Sequence, residues 1–245
     1  MRVSRRRRHP GDPGTTVGLD EAIDLARTGD LWIFRGDSRV DRTIRAVTNA
    51  PVNHVAMAVA LDDLPPLLWH AELGKGLRDV WTGQHQRGVQ LHDLREAVTQ
   101  WTGRYGQHGW FRQLSPEVTR DMEDAVLRTI ARWDGTPFPG TAALAGRWLR
   151  GRAGRFAQPR QSVARLRQQW AQSLSRGRAT APPPAVMTPT AAYCAEVVAV
   201  TYQAMGLLED DLPSIAYDPG AFWSGDRLRL TAPFTLGAEI AVRTD

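Results

Sequence analysis

An α+β fold with a small, mainly antiparallel sheet is what this sequence predicts. Three observations carry that expectation. Short apolar runs bounded by turn residues recur in the first hundred positions, at Leu31–Phe34, His54–Leu61 and Leu67–Leu73. Longer helical periodicity follows them, and the chain closes on a helix and one or two terminal strands rather than on a βαβ alternation. No internal repeat occurs, so a solenoid or propeller is excluded.

Taken in order, Asp20 can cap a helix over 21–27 that stops at Gly29. Gly29-Asp30-Leu31-Trp32-Ile33-Phe34-Arg35-Gly36 reads as a strand between turns. Ser38 can cap a second helix with Val40, Ile44 and Val47 on its apolar face. After Pro51 the run from His54 to Leu61 reads as a well-buried strand, Leu67–Leu73 as the next, and Val89–Leu94 as a further short one. Ser115-Pro116-Glu117 is a helix start with a capping residue, a first-turn proline and an acid at the positive dipole end. The spacing of Val118, Met122, Val126, Ile130 and Trp133 carries that helix to about residue 134. Thr190 can cap a last long helix over 191–205 closed by Gly206, and 232–243 reads as one or two strands.

Charge divides the chain unevenly. Residues 1–10 hold five arginines and no acid, and 135–195 hold nine arginines and no acid, so all 26 acidic residues lie in the remainder. Residues 1–18 therefore read as a disordered basic arm. The rest, 19–245, reads as a single domain carrying a basic, partly helical insertion at about 140–189. Hydrophobic residues make up 42% and charged residues 23%, values of an ordinary globular chain. Arg5–Arg8 are not followed by the apolar run of a signal peptide, and no 18-residue apolar stretch occurs. The expectation is a cytoplasmic protein, with peripheral contact to an anionic membrane surface open to the arginine-rich insertion. Nucleic acid is disfavoured as a partner, because the body is acidic and no reading helix or interleaved aromatic–basic face is present.

The chain has one cysteine, Cys194, which excludes an internal disulfide and a Cys-based zinc site. Placed in the first turn of its helix, it sits where unpaired N–H groups and the helix dipole favour a thiolate. His54 opens a strand that can lie beside that helix, as a Cys–His pair requires. His70 and Glu72, two apart on the next strand, share a face, and either could orient the His54 ring. His9, His85, His92 and His108 show no metal-type spacing such as HExxH and read as surface residues of arms or loops. Neither GxSxG, nor a phosphate loop, nor a Rossmann glycine pattern is present.

Three segments together resemble the circularly permuted papain-like (NlpC-type) enzymes, which include YiiX-type amidases and lecithin retinol acyltransferase-like proteins. They are the Gly29–Gly36 run, Asn53-His54-Val55-Ala56-Met57-Ala58-Val59, and Tyr193-Cys194-Ala195-Glu196-Val197-Val198. Histidine precedes cysteine by 140 residues, the permuted order. The resemblance implies a cysteine hydrolase or acyltransferase in which Cys194 attacks an amide or ester carbonyl and His54 is its base. His70, or Glu72 as in the YiiX-like branch, would orient the base, and Tyr193 would contribute to the oxyanion side or pocket. It implies no metal or organic cofactor, and a small-molecule, lipid or peptide substrate, including lipid-linked and cell-wall-type ones. Ala195 departs from the serine often found after the cysteine, and the basic insertion is no part of the family pattern. Two rival readings stand beside it: a non-catalytic binding module of the same fold, and a basic-arm binder of nucleic acid or membrane surface.

Overall fold

The computed structural model describes residues 15–38, 41–42, 45–46, 50–61, 64–138, 192–224 and 228–244. The arginine-rich 140–189 insertion, Thr190, the first 14 residues and the apolar face expected at Val40, Ile44 and Val47 lie outside them. The fold is α+β, but its sheet is larger than the sequence suggested. Seven strands run in the order β1-β9-β6-β2-β3-β4-β5, antiparallel except for the β1–β9 pair. They are β1 (Thr16–Gly18), β2 (Leu31–Arg35), β3 (His54–Val59), β4 (Leu67–Glu72), β5 (Gly88–Asp93), β6 (His108–Arg112) and β9 (Ile240–Arg243). A two-stranded ribbon pairs β7 (Leu114–Ser115) with β8 (Thr235–Leu236).

Two of these strands correct the sequence reading. Residues 16–18 belong to the sheet, so the expected disordered arm cannot extend to 18. Thr16 and Gly18 gain the Ala241 and Arg243 backbone as partners, contacts that depend on the far end of the chain. Leu114–Ser115 form a strand where a helix start was expected. The helix instead begins at Arg120, capped by Thr119, whose hydroxyl accepts from the Met122 N–H at 3.4 Å.

Both faces of the sheet are covered. On one, Leu31, Ile33, Val55, Met57, Trp69 and Leu91 pack against helices α3 (Arg120–Trp133) and α4 (Cys194–Ala204). On the other, Trp32, Phe34, Ala56, Ala58 and Leu68 pack against α1 (Leu19–Asp24) and α2 (Leu94–Thr99). The faces alternate strictly along each strand, as side chains of period two must. Helix α4 is buried nearly all round. Val197, Val198 and Tyr202 are wholly inaccessible, and each such side chain contributes ~1.5–3 kcal/mol by leaving water. Thr201 fastens α4 to β4: its Oγ1 accepts from Trp69 Nε1 at 3.0 Å and donates to the Val197 carbonyl at 2.7 Å.

Tyr202 donates to the Gly29 carbonyl at 2.5 Å, and Gly29 itself has φ +94°. A Cβ there would sit 2.7 Å from Leu114 Cδ2, so both the backbone and the packing demand glycine. Gly29→Ala is expected to cost ~2–4 kcal/mol, combining the left-handed penalty with overpacking. Urea denaturation measures this, and a loss below ~1 kcal/mol would show that the turn relaxes.

Candidate functional site

Five polar side chains converge on the face covered by α1 and α2. His54 projects from β3, His70 and Glu72 from β4, and His92 with Gln90 from β5. All have the parity of Ala56, Ala58 and Leu68. The antiparallel register sets His70 opposite Gln90 and Leu68 opposite His92, which brings the two strands' polar positions into one row.

The imidazoles form a chain with a constant sense. His54 Nε2 lies 3.2 Å from His70 Nδ1, and His70 Nε2 lies 3.0 Å from His92 Nδ1. His92 Nε2 meets Gln90 Oε1 at 3.1 Å, while the Gln90 amide N–H is directed at the Gly88 carbonyl. A carbonyl oxygen only accepts, so His92 carries its proton on Nε2 and its Nδ1 is an acceptor. The same logic passes back along the row. His70 and His54 each donate from Nε2, and the bare lone pair falls on Nδ1 of His54, the one residue of the three that is not fully buried.

Trp101 closes the row. Its ring stands edge-on to His54 at 4.8 Å and to His70 at 4.9 Å, and its Nε1 donates to Glu72 Oε1 at 3.3 Å. It sits in a π-helical turn, Gln100–Arg104, that continues α2. Such widened turns occur frequently at functional sites. Glu72 Oε2 is buried, has no hydrogen-bond donor among the described residues, and lies 4.0 Å from His92 Nδ1.

Burial governs the charge states. It disfavours imidazolium, so the His54 pKa falls to about 3 and that of His92 to about 4, while His70 drops well below its ordinary value. Burial likewise disfavours carboxylate and raises Glu72. Near neutral pH the row is three uncharged imidazoles.

Cys194 occupies the opposite face. It begins α4 directly after the N-cap residue Tyr193, three residues later than the start at 191 expected from the sequence. The backbone N–H groups of Val55, Ala195 and Cys194 favour its thiolate, but burial outweighs them and pushes the thiol up to about 11. The sequence suggested a lowered value. It also suggested a pair with His54, and the register separates the two. The thiol is close to the Val55 backbone, one residue along β3, yet the His54 ring hangs on the far side of the sheet against Phe34 and Trp101. Among the described residues no hydrogen bond joins Cys194 to an imidazole. Tyr193 uses its hydroxyl on the Ile215 and Tyr217 carbonyl oxygens, at 2.5 and 2.6 Å, and so ties the 214–217 turn to α4 rather than facing an oxyanion.

His70 and Glu72 thus stand together with His54, as expected, but away from the cysteine. His92, read from the sequence as a surface residue, is almost wholly buried and is a full member of the row. The alternation of Val89, Gln90, Leu91 and His92 carried the signal. It looks like a strand with one polar, solvated face, and becomes a buried network because that face is covered. His85 and His108 are exposed. A surface hollow of about 270 Å³ between Asp20, Arg95, Thr99 and Arg243 lies apart from both the histidines and the thiol.

No family model and no curated protein matches the chain. Among solved structures it is similar to the crystal structure of metalloprotein YiiX from Escherichia coli O157:H7, at 16% identity and a TM-score of 0.42, over 73% of this chain and 65% of that one. Less than two thirds of that protein is therefore matched.

Proposed function

We propose that the chain is a hydrolase of an amide or ester bond and that its working centre is the cluster of His54, His70, His92 and Glu72. The observation that supports this is the directed row of imidazoles ending at His54, the one residue of the three that is not fully buried. In that reading a water held at His54 attacks the carbonyl carbon. Its proton goes to Nδ1, and the tetrahedral adduct collapses as the C–N or C–O bond breaks and the leaving group takes the proton. The row spreads the transient positive charge inward toward Glu72, whose carboxylate is 4.0 Å from His92. A histidine with a pKa near 3 is a weak base on its own, since base catalysis is most effective near the operating pH. The centre therefore calls for a further activator of water.

The packing of α4 across β3 and β4 supports the permuted papain-like reading of the fold. A thiol enzyme is the second reading, favoured by the three N–H groups around Cys194. A lipid-linked or cell-wall-type substrate, and an anionic membrane surface as partner, remain part of the proposal through the arginine content of 140–189.

The test is a panel of acyl esters and acyl amides assayed with three variants. Cys194→Ala should stay within ~3-fold of the parent, while His54→Ala and Glu72→Gln should lose ~100-fold or more, the span of a lost general base or its support. An inactive Cys194→Ala with active histidine variants would transfer the function to the thiol. Activity on no member of the panel would favour the binding module.

A further inference from the structure

We infer that His70 Nε2, His92 Nδ1 and Glu72 Oε2 form a binding site for a divalent transition-metal ion of the zinc class. The inference rests on the hydrolase reading and changes who activates the water. With the ion bound His54 Nδ1 is already protonated, so that task would pass from His54 to the ion, while the site itself stands or falls on its own geometry.

The three donor atoms lie within 4.8 Å of one another. The imidazole nitrogens are 3.0 Å apart, and His92 Nδ1 lies 4.0 Å from Glu72 Oε2. Bonds of ~2.0–2.1 Å at tetrahedral angles place ligand atoms ~3.3 Å apart, so the observed spacings bracket what an ion would impose. The 4.0 Å pair would have to close by ~0.7 Å and the third pair by at most ~1.5 Å, within the reach of a Glu72 side-chain rotation. Two imidazoles and one carboxylate are the donor set of open, catalytic zinc sites, in which a fourth position is left for water.

Each ligand also has the outer partner that a ligand needs. With a metal on Nε2, His70 would present Nδ1–H to His54 Nε2, which is 3.2 Å away. With a metal on Nδ1, His92 keeps Nε2–H on Gln90 Oε1. Glu72 holds Trp101 on Oε1 and offers the metal Oε2, the buried acceptor that otherwise lacks a donor among the described residues. Imidazole ligands anchored through their second nitrogen and a carboxylate anchored through its second oxygen are the usual support of a metal centre. Gly74 leaves room for the carboxylate, since a Cβ there would collide with Glu72 Oε1.

The sequence hid this site because its donors come from two strands. His70 and Glu72 are spaced i, i+2 on β4, and His92 enters from β5, whereas HExxH-type motifs put both histidines on one helix.

Ion binding changes the protonation pattern without changing its count. In the metal-free row His54 and His70 donate from Nε2. With the ion bound, the His70 proton must sit on Nδ1, and His54 must accept at Nε2 and carry its proton on Nδ1. That tautomer exchange at His54, which touches no metal, is a signature that adventitious surface binding would not produce.

The experiment strips the full chain with a chelator and titrates it with CoCl2, then with ZnCl2 in competition. Expected are one equivalent of cobalt with the visible bands of a four-coordinate site, displacement by zinc, and affinity reduced ~100-fold or more in Glu72→Gln and His92→Gln, beyond the 10–100-fold lost with an outer-shell partner. Cys194→Ala should bind as the parent does. Should the histidine variant fail to fold, the parent chain still decides. Two-bond 1H–15N spectra of the zinc form should show His54 protonated on Nδ1, and X-ray absorption of the cobalt form should show two imidazoles. Binding weaker than about millimolar, unchanged affinity in both variants, or an unaltered His54 tautomer would overturn the site. A chain that binds one zinc yet hydrolyses nothing retains the site and removes the hydrolase. Hydrolysis that survives complete stripping retains the hydrolase and shows that the ion is not its activator, leaving the binding data to decide the site.

Discussion

Iodoacetamide should alkylate Cys194 at pH 8 at least ~20-fold more slowly in the folded chain than in the unfolded one. An unperturbed thiol has a pKa near 8.5, against about 11 in the fold. The thiolate fraction at pH 8 is then ~200-fold lower, and the greater nucleophilicity of a more basic sulfur returns only ~10-fold. Limited access slows the reaction further, because the residue is only 5% exposed. Between pH 8 and 10 the rate should climb close to tenfold per unit, without a plateau. The sign follows from burial. Transfer from water disfavours the charged form, and the N–H groups of the helix start recover only part of the loss. His54→Ala should leave the profile where it is, since the imidazole lies across the sheet. A plateau below pH 8.5 that vanishes in His54→Ala would instead reveal a thiolate–imidazolium pair and refute the separation of the two.

The contrast with the sequence expectation has a local cause. In β3 every residue from Val55 to Val59 is apolar, because both faces of the sheet are buried. A strand with one wet face would have shown which way His54 points, but this one gives no such cue. Only side-chain size hints at the answer, with Val55, Met57 and Val59 toward α4 and the smaller Ala56 and Ala58 away from it. The strand itself, its neighbour β4 and the closing helix were legible from turn residues and periodicity, and Gly206 ends α4 with φ +75° as its type suggests. Ser38 likewise caps the segment after β2, its Oγ accepting from the Asp41 N–H at 3.1 Å. Strand β6 was not legible. Its turn signals are weak, and its identity depends on pairing with β2 on one side and β9 on the other. Helix α2 and its π turn, which bring Trp101 over the histidines, were missed for a similar reason: six residues of Leu94–Thr99 give too short a periodic pattern to be told from a loop.

Replacing Arg112 by alanine should destabilise the fold by ~3–5 kcal/mol, the range for removing one partner from a buried charge pair. Arg112 ends β6 and is 6% exposed. Its guanidinium donates from Nη1 to the Phe222 carbonyl at 2.5 Å, from Nε to Gly237 at 2.7 Å and from Nη2 to Leu236 at 3.3 Å, with Glu239 at 3.7 Å. One side chain thus satisfies three carbonyls of the C-terminal segment and the charge of a carboxylate. Alanine would strand the three carbonyls and leave the Glu239 carboxylate to its Ser224 donors alone. Burial lowers the arginine pKa, and Glu239 opposes that fall, so the residue remains a cation at any ordinary pH. Lysine would keep the charge and lose the fork, and should recover less than half of the loss. The double variant Arg112→Met, Glu239→Gln should be more stable than Arg112→Met alone, because the half-buried carboxylate left without its counter-charge is removed with its partner. Thermal unfolding reads the parent and all four variants, at ~2–4 °C per kcal/mol for a chain of this size. Equal midpoints for parent and alanine variant would mean that water satisfies the three carbonyls, and that the tail is held by β9 and β8 pairing alone.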